Sequence, residues 1–78
     1  MLRGMAKKDR TLVRLGENLR KAREARGWSQ EEMAARCGVH RTYVGGVERA
    51  EYNVTILTLR RFTKTLEMRL EDAVKGIS

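Results

Sequence analysis

The run Trp28–Asn53, WSQEEMAARCGVHRTYVGGVERAEYN, decides how this chain folds. Ser29 and Glu32 have the spacing of a capping box, in which the serine oxygen takes the Glu32 backbone N–H and the glutamate side chain returns to the serine N–H. A helix therefore starts after Ser29, runs through Met33, Ala34 and Cys37, and stops at Gly38. A second helix is expected to begin after Val39 or His40 and to end near Arg49, with Val44 and Val47 as its inward pair. Counted from Gln30, a small residue stands fifth (Ala34), glycine ninth (Gly38), and aliphatic residues fifteenth and eighteenth (Val44, Val47). Each has a reason: Ala34 lets two helices approach, Gly38 takes the strained backbone of the turn, and the valines with Met33 and Cys37 form the wedge between the helices. Gly45 and Gly46 lie inside the second helix at a propensity cost of roughly 1 kcal/mol each, so packing or the close approach of another surface must hold it.

Working outward, Leu12, Leu15, Leu19, Ala22 and Arg26 recur at spacings of three and four and predict an earlier helix, capped by Asp9 or Thr11 and closed by Gly27. Downstream, Thr55 is a good N-cap for a helix whose apolar set is Ile56, Leu59, Phe62 and Leu66, with Leu57 left on a neighbouring face. A last short helix over 70–75 carries Glu71 and Asp72 in its first turn, where the helix dipole favours acids. The expected fold is all-α: five helices, no strands, one domain over residues 9–78, preceded by a disordered basic arm over residues 1–8. Met5 stands there as an alternative start to Met1.

With 78 residues, 41% of them hydrophobic and 35% charged, and with no proline, the composition is that of a small helical globule. A single core of this size supplies only about 3 to 5 kcal/mol, so help from a partner subunit is expected. Cys37 is the only cysteine, which excludes a disulfide within the chain, and no secretory or long apolar run is present, so a cytoplasmic protein is expected. The net charge of +7 favours a polyanionic partner. Residues 1–30 hold most of it, with nine Lys and Arg against three acids; residues 31–78 hold eight against seven.

Two short helices joined by a glycine-centred turn, the second opening with Arg41, Thr42 and Tyr43, make a helix-turn-helix, which lays its second helix into the major groove of duplex DNA. Over roughly Leu15 to Ala73 the chain resembles the Cro and phage-repressor superfamily, a lambda-repressor-like fold of five helices. The run HRTYVGGVERAEYNVT is most similar to the controller proteins of bacterial restriction-modification systems. What the resemblance implies is a homodimer, joined through its C-terminal helices, on symmetric DNA sites upstream of its own gene. Arg41, Thr42 and Tyr43 match its base-reading positions, Gln30 a phosphate-binding glutamine, and Asn53 and Thr55 backbone-contacting positions. Arginine can bond guanine O6 and N7 with two N–H groups, which suits Arg41 to reading. Tyr52 departs from the arginine of many controllers, so one positive contact of the pattern is missing, and Gly45 departs from the serine of some relatives. Arg23 and Glu48 match a partly buried ion pair that links the first helix to the third. Arg49, next to Glu48, is expected to face outward as a phosphate contact. By the same analogy, Glu31 is the acid that would touch RNA polymerase.

Arg41, Thr42 and Tyr43 could be three exposed residues at a helix start, and His40 is a cap or surface residue before it is a reader. Cys37 and His40 have the offset of a metal pair, yet a structural zinc takes about four ligands and the chain has one Cys and one His, so Cys37 is placed in the core and no cofactor is expected. No nucleophile–base pair, carboxylate pair or phosphate loop is visible, so the chain is not read as an enzyme. Leu57, Met68, Leu70, Val74 and Ile77 could complete a monomer core; they are assigned to a dimer surface, because the chain has more apolar residues at its end than one helix pair needs. A phage-type repressor, a toxin-linked antitoxin and a protein-interaction module of the same fold remain alternatives.

Overall fold

The computed structural model describes residues 8–77. Among them, five helices follow in order: α1 Arg10–Ala25, α2 Gln30–Cys37, α3 Arg41–Glu48, α4 Ile56–Leu66 and α5 Leu70–Ala73. Of the arm expected to be disordered, residues 1–7 lie outside the described residues; Lys8 is exposed and donates its ammonium to the Arg49 carbonyl at 2.5 Å.

Each boundary has a local cause. Asp9 caps α1 by accepting the Thr11 N–H at 2.8 Å, which settles the choice between Asp9 and Thr11. Ser29 caps α2 by accepting the Glu32 N–H at 3.0 Å, but the reciprocal half of the expected box is replaced. The Glu32 carboxylate pairs instead with Arg36, one turn on, at 2.6 Å, since an arginine at that spacing competes well for an exposed carboxylate. His40 caps α3, its Nδ1 accepting the Thr42 N–H, and Thr55 caps α4 through the Thr58 N–H. Gly38, at φ +75°, ends α2 in the left-handed region that the turn into α3 needs.

Leu15, Leu19, Met33, Ala34, Cys37, Val44, Val47, Leu59, Phe62, Leu66 and Ala73 form one core. Two expectations are corrected. Ile56 is 62% exposed, because the inward stripe of α4 is Leu59, Phe62, Thr63 and Leu66, and Ile56, at the helix's first position, lies beyond the layer that these cover. Arg26 is no part of the inward stripe of α1: it is exposed, and its guanidinium donates to the Leu66 carbonyl and the Glu67 carboxylate. The last helix is also shorter than expected, ending at Ala73, whose methyl is fully buried.

Two contacts of α1 fix the remaining elements. Gly16 lies against the end of α3, where a Cβ would stand 2.5 Å from the Glu48 carbonyl oxygen and 2.8 Å from that of Val47. Asn18 donates both protons of its amide, to the carbonyls of Ala73 at 2.8 Å and Lys75 at 2.9 Å, and so satisfies the end of a helix too short to hold itself. Among the described residues, no helix is long and apolar enough to cross a membrane, and no cluster of three metal-ligating side chains occurs.

Candidate nucleic-acid interface

The first two residues of α3 stand clear of the core. Arg41 and Thr42 are exposed, while Tyr43 is half-buried. Val44 and Val47, at 0% and 2% exposure, anchor the helix in the core, with Gly45 and Gly46 buried between them.

Beneath this turn lies a buried polar network. Arg23 reaches from α1 to Glu48 at the end of α3, with Nε 2.7 Å from Oε2 and Nη2 3.1 Å from Oε1, and it also donates to the Trp28 carbonyl at 2.7 Å. The Glu48 carboxylate holds the Arg23 pKa above its ordinary value, outweighing the opposing effect of burial. Gln30 donates from Nε2 to Glu48 Oε1 at 3.0 Å. An amide nitrogen has two protons, so Glu48 fixes the Gln30 amide through one of them and the other is not used in this bond. Gly45 allows Arg49 to join it: a Cβ at this position would stand 3.2 Å from Gln30 Oε1 and 2.9 Å from Arg49 Nη1. Two of the expected phosphate-binding side chains thus converge over one helical glycine.

The remaining expected residues are exposed but partly engaged. Arg41 donates to Glu31 at 2.8 Å, an exposed pair across the turn. Glu31 has its pKa lowered, first by its own backbone N–H in the first turn of α2 and then by Arg41. Arg49 makes a two-bond pair with Glu51 at 3.0 and 3.3 Å, which raises the arginine's pKa and lowers the glutamate's. Asn53 and Thr55 are exposed in the segment leading into α4. The Thr55 hydroxyl is already used: it accepts the Thr58 N–H and donates to the Thr58 hydroxyl. The side chain is therefore occupied as the N-cap of α4.

The role of Tyr52 is not legible in the sequence pattern. Its ring packs over Gly46, where a Cβ would stand 2.7 Å from Cδ2, and it stacks on Tyr43 with centroids 5.3 Å apart and planes 19° apart. A glycine inside a helix with no local reason, followed six residues later by an aromatic, is the one signal that could have found it. Of the surface assigned to a second copy, Leu57 is 74% exposed, Leu70 and Val74 39% each. Met68 and Ile77 are half-buried against the chain's own core, and Ile56 adds exposed apolar area where helical spacing predicts a core residue.

The helix-turn-helix family HTH_3 matches residues 19–72, a span that contains the capped pair α2–α3 and both ends of the buried ion pair. The chain belongs to this helix-turn-helix family. Relatives of this helix-turn-helix protein include control protein C.SmaI of Serratia marcescens, 50% identical over 52 residues that make up 67% of this chain and 62% of that protein. The aligned segment covers 49% and 62% of the two curated relatives matched at 42% and 50% identity. Among solved structures, the restriction-modification controller protein C.AhdI of Aeromonas hydrophila superposes with a TM-score of 0.77 at 39% identity, over 80% of this chain and 94% of that one. The controller protein C.Esp1396I, solved as a tetramer on its natural 35 base-pair operator, superposes with a TM-score of 0.75 at 28% identity, over 87% of this chain and all of that one. The resemblance to controllers in the sequence is thus matched by relatives of that kind.

Proposed function

We propose that the protein is a sequence-specific, DNA-binding regulator of transcription, the controller of a restriction-modification system, acting in the cytoplasm as a homodimer. The observation that carries this reading is the exposed start of α3, Arg41 and Thr42 with Tyr43 beside them, backed by a polar network in which Glu48 fixes the Gln30 amide. Arg41, Thr42 and Tyr43 read base edges. Gln30, Arg49, Asn53 and the start of α4 at Thr55 hold phosphates, which sets the register of the reading helix. A homodimer places one α3 in each of two major grooves, with half-sites about 10 bp apart. Leu57, Leu70 and Val74, with the exposed Ile56, supply apolar area for its interface, and Met68 and Ile77 border it from the core side. C.Esp1396I on its operator supports double-stranded DNA as the partner. In the free protein the Glu31 carboxylate pairs with Arg41, and release of that arginine to a base would leave the acid open to RNA polymerase.

A gel shift on the DNA upstream of its own gene, against random duplex at about physiological salt, tests the reading. The expected specific dissociation constant is roughly 10⁻⁸ M or tighter, against 10⁻⁶ M or weaker for random DNA. Arg41→Ala should lose about 1 to 3 kcal/mol on the specific site and relax the sequence preference. Equal binding to both duplexes by the wild-type protein refutes it.

A further inference from the structure

We propose that Tyr52 is a positioning residue for sequence reading: it clamps the Tyr43 ring in place before DNA arrives, and Gly46 exists to let it do so. The inference rests on the DNA-reading role of α3 proposed above.

The chain builds the clamp in three steps. Ala50, at φ +64°, turns the backbone left-handed after α3, and the turn closes with the Glu51 N–H on the Gly46 carbonyl at 2.9 Å and the Ala50 N–H on that of Val47 at 3.1 Å. This reversal brings the chain back along the helix it has just left. The ring of Tyr52 then settles over Gly46, in space that any Cβ would fill. From there it stacks on Tyr43, whose ring also meets Phe62 edge-on, with centroids 6.1 Å apart and planes at 82°. Phe62, 1% exposed, is part of the core; Tyr52 is 44% exposed and closes the clamp from the solvent side.

An aromatic ring held between a core wall and a stacked partner has lost its rotamer freedom in the free protein, so ordering it costs little on binding. Tyr52 carries no charge, and its contribution is therefore to the choice of sequence and not to the salt-dependent attraction that all duplexes share. The stack needs a ring and not a hydroxyl.

These properties separate positioning from mere stability. The ratio of affinities for the upstream site and random DNA is measured for the wild type, Tyr52→Ala, Tyr52→Phe, Tyr52→Leu and Gly46→Ala, together with thermal midpoints and the salt dependence of binding. Tyr52→Ala and Tyr52→Leu are expected to lower the ratio about tenfold, the size of one misread base pair, and Tyr52→Phe to restore it to within about threefold. Gly46→Ala should reproduce the loss, because its methyl displaces the ring. The salt slope should stay unchanged throughout. If Tyr52→Ala does not fold, Tyr52→Leu, which keeps an apolar cover over Gly46, supplies the test. A wild-type ratio retained by Tyr52→Leu overturns the positioning role, whatever the thermal midpoint does. A wild type without preference overturns the underlying DNA reading instead.

Discussion

Arg23 of α1 grips Glu48 of α3 through two hydrogen bonds, with side chains 11% and 5% exposed, so the helix that carries the reading turn is tied to the scaffold by a buried charge pair. Glu48 also holds Gln30, which makes the pair a junction between polar groups of three helices. Removing either partner strands the other. Arg23→Ala and Glu48→Ala should each cost about 3 to 5 kcal/mol of unfolding free energy by urea titration, and the double variant should be little worse than the single ones. Additive losses would show that the two residues contribute separately.

Gly16 is the second tie between these helices. A methyl there would meet two backbone carbonyls, and backbone cannot swing aside as a side chain can. Gly16→Ala gains roughly 1 kcal/mol of helix propensity. Forcing α1 and α3 apart costs about 1 to 3 kcal/mol, which outweighs that gain. A lower thermal midpoint for Gly16→Ala is therefore expected, where an exposed helical glycine would give a higher one.

The sequence disclosed what short-range rules govern. The caps at Ser29 and Thr55, the turn at Gly38 and the inward valines of α3 each depend on residues within four positions, and each is where the pattern puts it. The all-helical fold and its kinship follow from them. What could not be read depends on contacts distant in sequence. Gly16 answers to the end of α3, Asn18 to the end of α5, and Gly46 to a ring that a left-handed alanine returns to it. Periodicity also misplaces Ile56, because a three-residue offset from Leu59 fits the inward stripe on paper but falls where α4 outruns the core.

Cys37 lies in the core at 5% exposure, and burial pushes its thiol pKa up. A raised folded pKa means that the neutral thiol contributes stability fully below the unfolded pKa, and that this contribution is lost as pH rises through the folded value. The thiolate is the reactive species, so both burial and protonation protect the residue. In the folded protein at about pH 8, near the ordinary thiol pKa, a maleimide or disulfide reagent should label Cys37 far more slowly than in concentrated urea. Rapid labelling of the native protein would place the thiol at the surface.

Glu31 and Arg41 pose a sharper question, since the arginine assigned to base reading already has a carboxylate at 2.8 Å. An exposed ion pair is weak, while two bonds to one guanine edge in the closed interface are strong, so the arginine should leave its partner on binding. The lowered pKa favours the ionised form of Glu31, so the competition is present at neutral pH. It also leaves a negative charge beside the phosphates. Glu31→Gln should thus tighten binding to specific and random DNA alike, by about three- to tenfold at roughly 0.1 M salt, and the ratio between them should hold or rise. If the ratio falls instead, Glu31 travels with Arg41 and aims it at its base, and the carboxylate belongs to the reading apparatus.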